Sequence, residues 1–376
     1  MKKRVSLILA AILVLLLVPI LAACTQQAPA QPPVTVTVTA TPAAGAPPAT
    51  APVTAPPAAA KYKWKFFSNY TLKEFPHRQI PALIQQVNAA TNGALQIELF
   101  ALGEHPFASK DVLKAISERK AEMVGLTAGH VQGTEPAMGT YVLPMFMPGD
   151  LESYVKLWQA TRNQTTQKIF DRWDAKIALG YLWPQQNFIA DVPVTSWDAL
   201  KGKKVRASSK EANDVVNVLG GTGITLAWAE APTALGTKVI DGVGTSTGSM
   251  YDAGLAQWAK YVTLINMHYH DAYWLVNSKA LAELDPATRD AFLKVYKDAE
   301  PRITEGQMSD AAMKMEKLVT EFGVTITAPT SKFRNEVVEK VKAEVWPGYV
   351  KASGPDAQAF LDVVSAKGKE LGIPGF

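Results

Sequence analysis

From Tyr62 to about Leu284, short runs of β-branched and aromatic residues alternate with amphipathic stretches, and this alternation constrains the fold more than any other feature. Such a pattern favours mostly parallel sheets with helices packed on both faces. Residues 61–376 are also enough for two domains of ordinary size. The sequence therefore predicts an α/β protein with two lobes. In sheets of this kind, ligands bind beyond the carboxyl ends of the strands.

The spacing of apolar residues predicts the individual elements. Strands are predicted over residues 62–67, 96–100, 121–126, 177–183, 203–207 and 224–228. Helices are predicted over residues 75–90, 109–120, 151–173 and 211–219. The chain after Asp285 is mostly helical, and Asp285-Pro286 is typical of a helix start because proline is favoured at the first helical position.

The N-terminus has the pattern of an export signal. Basic residues at positions 2–4 precede an apolar run over positions 7–21, which is shorter than the ~20 residues of a membrane span. The next residues complete Leu21-Ala22-Ala23-Cys24, a match to the bacterial lipobox. We therefore expect residues 1–23 to be removed as a signal peptide and Cys24 to be lipidated. An ordinary secretory signal with an incidental cysteine is the alternative.

Cys24 is the only cysteine in the chain, which excludes disulfides, thiol catalysis and cysteine-bound zinc. Residues 25–60 carry no charge and no aromatic side chain, so residues 24–60 are predicted to be a disordered tether rich in Ala, Pro and Thr. The rest of the chain has 35 basic and 34 acidic side chains once the three basic residues of the signal are removed, a balance that argues against nucleic-acid binding. The expected location is extracytoplasmic, with the protein anchored to a membrane through the lipid on Cys24.

Four segments resemble, in order, motifs of the solute receptors of TRAP (tripartite ATP-independent periplasmic) transporters. Residues 91–100 are similar to "T-x-G-x-x-x-I-x-V-F", and residues 140–150, with Leu143-Pro144-Met145-Phe146, to the "L-P-F-L-F" loop. Residues 196–206 resemble "D-L-K-G-x-K-x-R", and residues 230–242 resemble "E-x-x-x-A-L-Q-x-G-x-V-D-G". The resemblance covers nearly everything from Tyr62 to about Ala299.

This resemblance implies two α/β domains joined by crossing strands and by a long helix that runs along both. The expected lobe I contains residues 61–183 plus about 272–311, and lobe II contains residues 184–271 plus about 312–376. Receptors of the family hold a ligand carboxylate on the arginine that ends "G-x-K-x-R", which is Arg206 here. The planar guanidinium offers a fork that matches a carboxylate. The implied partners are a small organic acid and the membrane subunits of a TRAP transporter, with no cofactor.

Two positions depart from the family pattern. Gln185 stands where many members have a second arginine, and Thr245 stands where they have an asparagine. One fixed cation and a hydroxyl favour a monocarboxylate over a dicarboxylate or a sialic acid. Other candidate ligand-binding residues lie near predicted strand ends: Trp183, Trp228 and Tyr251 as apolar walls, and Asn69 and Thr127 as hydrogen-bonding groups of the first lobe.

Three alternatives remain open from the residues alone. Residues 244–248 read Gly-Thr-Ser-Thr-Gly, which matches the G-x-S-x-G elbow of serine hydrolases with Ser246 as nucleophile. His268 and His270 could place two imidazoles on one strand face, with Asp271 beside them serving a cation that bridges a carboxylate ligand. A ligand sensor that works without a transporter is the third alternative.

Overall fold

The computed structural model describes residues 60–376, so the predictions for the signal, for the lipidation of Cys24 and for nearly all of the tether lie outside the described residues. Its strands form two separate sheets. The strands are β1 (Tyr62–Phe67), β2 (Leu95–Phe100), β3 (Met123–Thr127), β4 (Ala175–Trp183), β5 (Asn187–Ala190), β6 (Lys204–Arg206), β7 (Thr222–Ile224), β8 (Gly242–Thr245), β9 (Tyr261–Thr263), β10 (His270–Asn277) and β11 (Thr325–Thr327).

The helices between these strands pack on both faces of each sheet. They are α1 (Phe75–Arg78), α2 (Ile80–Ala90), α3 (Val112–Ser117), α4 (Ala128–Val131), α5 (Leu151–Thr161), α6 (Thr166–Asp171), α7 (Lys210–Val218), α8 (Ala231–Gly236), α9 (Thr247–Asp252), α10 (Ser278–Glu283), α11 (Pro286–Phe322), α12 (Ser331–Glu344) and α13 (Trp346–Glu370). Short 3₁₀ turns occur at Ser109–Asp111, Pro136–Gly139, Trp228–Glu230 and Leu255–Gln257.

The sheet topology confirms the predicted two-lobed architecture. Lobe I is built on the sheet β2-β1-β3-β10-β4, and lobe II on the sheet β11-β9-β5-β8-β6-β7. In each sheet one strand runs against the others: β10 in lobe I and β5 in lobe II. These are the two crossing strands, because β5 continues the chain from β4 and β10 continues it from β9. All remaining pairs of strands are parallel among the described residues.

Helix α11 contributes to both lobes, as predicted for the long helix. It has 37 residues, which corresponds to about 55 Å. The Asp285 side chain accepts a hydrogen bond from the backbone N–H of Thr288 at 3.0 Å, which confirms the predicted helix start. Phe292 lies in the core of lobe I and Leu318 in the core of lobe II. One helix therefore shares its buried face between the two cores.

Several of the predicted elements are wrong in detail. The helix expected over residues 75–90 is divided at Gln79 into α1 and α2. The helix expected over residues 151–173 is two helices, α5 and α6, which are interrupted after Thr161. The strand expected over residues 224–228 ends at Ile224, and Trp228 begins a 3₁₀ turn instead. In that turn the Glu230 carboxylate accepts the Ala227 N–H at 3.2 Å, a local cap that competes with an extended strand.

The C-terminal residues also depart from the predicted lobe boundaries. Helix α12 packs on lobe II, where Phe333 and Val337 join the core. Helix α13 returns to lobe I, and its Phe360 and Val364 belong to the same core as β3 and α5. A kink at Gly354, with φ of 74°, lets α13 bend across that surface. Residues from about 346 onward therefore belong to lobe I, because their apolar face is buried there.

A search of the helices within residues 60–376 found none with enough length and apolar character to span a membrane.

The docking of α13 on lobe I gives a stability prediction. Phe360 is 4% exposed in that core, so Phe360→Ala should lower the free energy of unfolding by about 3–5 kcal/mol, since it removes buried surface and leaves a cavity. Lys369→Ala, an exposed position on the same helix, is the control and should change it by less than about 0.5 kcal/mol. Urea unfolding followed by circular dichroism measures both. Equal midpoints for the two variants would contradict the docking.

Candidate functional site: a cleft between the two sheets

The strand directions bring the carboxyl ends of the parallel strands to one edge of each sheet, where the two lobes face each other. Thr127 is the last residue of β3 and Trp183 the last of β4. On the other side Arg206 ends β6 and Thr245 ends β8. The crossing strands start at the same edges because they run the opposite way: His270 pairs with Trp183. Four of the predicted site residues are thus brought together.

These residues line a narrow cleft that is open on one side. The cleft is lined by Tyr70, Thr127, His130, Trp183, Gln186, Arg206, Ser208, Trp228, Thr245, Ser246, Ser249 and His270.

Arg206 is the charged centre of the cleft. Its side chain is only 5% exposed, and burial lowers its pKa from the ordinary value to about 10. Among residues 60–376 no acidic side chain lies within ion-pair distance of it. A buried guanidinium without a partner is costly, because the protein replaces little of the hydration that the charge loses. The site therefore calls for an anion.

The guanidinium is held in a fixed orientation. Its Nε–H donates to the carbonyl oxygen of Leu226 at 3.1 Å, and its central carbon lies 5.6 Å from the centre of the Trp228 ring. The two terminal nitrogens have no hydrogen-bond partner within the described part of the chain. These two nitrogens are the donors that would form bidentate hydrogen bonds with a carboxylate.

On the lobe I side, aromatic rings surround one polar group, the Thr127 hydroxyl. The Trp183 Nε1–H donates to Thr127 Oγ1 at 3.3 Å, and the Tyr70 hydroxyl lies 3.0 Å from the same oxygen. The Tyr70 and Trp183 rings are in contact, with centroids 5.0 Å apart. Thr127 therefore ties together a rigid apolar wall that faces Arg206.

Two histidines of the cleft are neutral at ordinary pH. Burial, reinforced by the charge of Arg206, lowers the pKa of His130 to about 4. Burial and the neighbouring His268, His130 and Arg206 hold the pKa of His270 well below its usual range. Among the described residues that line the cleft, Arg206 is thus the one permanent charge.

The structure does not bring every predicted residue into the cleft. Gln185 points out of it and donates to the carbonyl of Gly149, while its neighbour Gln186 lines it, because adjacent side chains of an extended segment face opposite sides. The Tyr251 hydroxyl donates to Glu321 at 2.7 Å on the far side of α9. Asn69 is buried beside the cleft wall, and neither polar atom of its side chain has a partner within residues 60–376.

Ser246 has a structural role. It is the N-cap of α9: its Oγ accepts the Ser249 N–H at 3.3 Å and donates to the Ser249 hydroxyl at 2.9 Å. Within the described residues no histidine forms a hydrogen bond with it, so the base that a serine nucleophile needs is missing. The Gly-Thr-Ser-Thr-Gly motif is a helix-capping sequence.

The histidine pair is not arranged as a metal site. His268 precedes β10 and His270 begins it, and their rings meet edge to face with centroids 5.7 Å apart. The Asp271 carboxylate accepts the Tyr273 hydroxyl at 2.6 Å inside lobe I, where burial raises its pKa to about 7. Within residues 60–376 no group of three or more candidate ligands could hold a metal ion.

Several lining residues were missed by the sequence reasoning. Tyr70, His130 and Ser208 lie two or three positions beyond the ends of β1, β3 and β6, so a search of the residues after each strand would find them. Gln186 and His270 come from the crossing segments. In these segments the backbone carbonyl of His268 accepts a hydrogen bond from the backbone N–H of Gln186 at 2.8 Å. The two residues are far apart in the chain, so no local sequence pattern predicts the pairing.

Comparison with known proteins agrees with this geometry. The family model of the bacterial extracellular solute-binding proteins, family 7, matches residues 71–351. A C4-dicarboxylate-binding periplasmic protein of Rhodobacter capsulatus is 25% identical over 200 residues, which is 50% of this chain and 57% of that protein. The match thus spans little more than half the length of that curated relative.

Solved structures of similar proteins share the fold. An extracytoplasmic solute receptor of Bordetella pertussis that binds pyroglutamic acid has a TM-score of 0.74 and 23% identity, over 81% of this chain and 99% of that one. The ectoine-binding protein of a TRAP transporter of Halomonas elongata has a TM-score of 0.75 and 18% identity, over 82% and 99%. With most of its length matched by the family model, the chain belongs to the bacterial extracellular solute-binding proteins of family 7, the DctP-like receptors.

Proposed function

We propose that this receptor binds a small organic monocarboxylate in the cleft and delivers it to the membrane subunits of a TRAP transporter. The observation that carries the proposal is the buried Arg206 with two unpartnered terminal nitrogens and no acidic neighbour among residues 60–376. A ligand carboxylate supplies the missing counter-charge and accepts both N–H groups at once.

The charge of the cleft supports one carboxylate rather than two. Arg206 supplies a single positive charge, while His130 and His270 stay neutral because their pKa values lie far below 7. Gln185, which replaces a second family arginine, lies outside the cleft. A second carboxylate would be buried without a cation, at a cost of several kcal/mol.

The remaining walls favour a compact ligand with an apolar body. Trp183 and Tyr70 lie on one side of the cleft, and Trp228 lies on the other. Similar receptors bind pyroglutamic acid or ectoine, both small cyclic acids, in cleft proteins of the same fold. Acids of that size fit the proposal, and lactate-like or branched-chain keto acids fit it equally.

We further propose that the receptor works on the outer side of a membrane, anchored through Cys24. The support is the lipobox together with the uncharged segment that follows it. Such a segment would let the receptor move to and from a transporter while it stays attached to the surface.

The first prediction from this proposal concerns Arg206. A thermal-shift screen of organic acids should find monocarboxylates that stabilise the protein, by about 2.7 kcal/mol at 100 times the dissociation constant. Arg206→Ala should weaken the best ligand by on the order of 2–5 kcal/mol, because it leaves a carboxylate buried without a partner. Arg206→Lys should recover part of that loss, since an ammonium has the charge without the fork. Calorimetry measures each value.

Gln185→Ala is the matched control for Arg206. It removes a polar side chain that lies outside the cleft, so affinity should stay within about twofold of the parent. Circular dichroism checks that each variant is folded. If folded Arg206→Ala binds within threefold of the parent, Arg206 is structural and the proposed site is wrong.

The second prediction concerns pH. Arg206, with a pKa of about 10, keeps its proton and His130, with a pKa of about 4, stays neutral between pH 5.5 and 8.5, where the ligand carboxylate is ionised. Affinity should therefore change by less than about threefold across that window. A histidine that gained a proton within it would add a positive charge and strengthen binding as the pH falls. A tenfold gain on going from pH 8 to pH 6 that persists in Asp271→Asn, which removes the other group with a pKa near 7, would contradict the neutral histidines.

The third prediction concerns the anchor. Cys24→Ala should leave the protein exported but release it from the membrane, because the thiol is the group that takes the lipid. Fractionation of cells into membrane and soluble fractions, followed by immunoblotting, measures the partition. If the variant sediments with membranes as fully as the parent does, the anchor is not at Cys24.

A further inference from the structure

His270 has a fixed tautomer. The backbone N–H of Gly129 donates to its Nε2 at 3.1 Å, so Nε2 is an acceptor and carries no proton. The neutral ring must then carry its proton on Nδ1. Nδ1 has no partner among residues 60–376, and it is not sealed from solvent, unlike both ring nitrogens of His268. His270 therefore presents an N–H donor on a ring that lines the cleft.

The backbone around Gly129 holds this arrangement in place. A Cβ atom on Gly129 would lie 2.9 Å from His270 Nε2 and 2.9 Å from the Ser208 carbonyl oxygen. Only glycine permits so close an approach of this segment to the ring and to lobe II. His130, the other histidine of the cleft, has no hydrogen bond that fixes its tautomer among the described residues, and its Nδ1 is buried without a partner.

We propose that His270 is a specificity-determining residue, whose Nδ1–H donates to a neutral acceptor on the ligand while Arg206 holds the carboxylate. This proposal rests on the proposed function and narrows it to acids with a second oxygen, such as keto, hydroxy or lactam acids. Both residues line the same cleft, so a ligand held by Arg206 lies in the space that the His270 ring borders. A ligand without that oxygen leaves a buried N–H unpaired, which costs more than the bond itself contributes.

Matched pairs of acids test the proposal on the unaltered protein. L-pyroglutamate and cyclopentanecarboxylate share a five-membered ring, and 3-methyl-2-oxobutanoate and 3-methylbutanoate share a branched chain. Only the first acid of each pair has a carbonyl oxygen in addition to its carboxylate. In at least one pair, calorimetry should show on the order of tenfold tighter binding of the carbonyl acid.

Two substitutions of His270 separate its two nitrogens. His270→Gln keeps an acceptor for the Gly129 N–H but has no donor at the Nδ1 position, so the preference should fall to within about twofold. His270→Asn places an amide N–H near the Nδ1 position and should keep part of the preference. In His270→Gln the affinity for the acid without a carbonyl should rise, because the N–H that this acid leaves unpaired has been removed. His268→Gln is the control and should leave the preference intact, because His268 does not line the cleft.

A measurement on the parent protein covers the case in which a variant fails to fold. Histidine ¹⁵N spectra should show a ring that is protonated on Nδ1 and whose Nδ1 signal shifts when a carbonyl acid is added; His77, whose Nδ1 lies against Ser68 Oγ, should not shift. If none of the four acids binds, the proposed function fails for these classes. If acids bind but no pair shows a preference, or His270→Gln keeps it, His270 has no part in specificity.

Discussion

The two lobes are tied together by strands that leave one sheet and enter the other, and the direction of those strands determines where chemistry can occur. Because β5 and β10 enter their new sheets antiparallel to the neighbours, their first residues lie at the edge where the parallel strands end. Polar groups that follow parallel strands, such as Ser208 and His130, and His270 at the start of a crossing strand are thereby brought to one cleft. Arg206 and His270 face the same space for this reason, although 64 positions separate them in the sequence.

Burial then decides what the cleft can hold. The same loss of hydration that leaves Arg206 in need of an anion keeps His130 and His270 neutral, since a charged imidazole next to a guanidinium would be doubly disfavoured. A single charge in a dry, aromatic cleft is a demanding recognition element: it strengthens an interaction with one carboxylate and penalises an uncompensated second one. Selectivity among organic acids would therefore come from desolvation as much as from attractive contacts.

The sequence predicted the α/β fold and the start of α11, because these depend on periodicity and on local capping that a single segment carries, whereas the crossing of the lobes was implied by the family resemblance. Five of the candidate ligand-binding residues line the cleft: Thr127, Trp183 and Trp228, chosen because they lie near predicted strand ends, and Arg206 and Thr245, chosen from the family resemblance. Prediction from the sequence failed where distant segments decide. Whether Gln185 or Gln186 faces the cleft depends on pairing with residues 267–268, and the return of α13 to lobe I depends on an apolar surface assembled from β3, α3 and α5. The residues that specify these contacts are present in the sequence, but their partners are not adjacent in it.

The division of the cleft between the lobes bears on how a receptor of this kind would close. Arg206 belongs to lobe II, whereas Thr127, Trp183 and His270 belong to the sheet of lobe I. Direct contact between the lobes at the mouth is modest and polar: Gln132 donates to Glu211 at 2.9 Å, and Gly129 lies against Ser208. A ligand held by Arg206 alone would bind open and closed forms equally and shift nothing. Contacts between the ligand and lobe I are made only when the lobes meet. The free energy that drives closure must therefore come from the lobe I wall of the cleft. A ligand able to use His270 would close the receptor more completely than one that uses Arg206 alone.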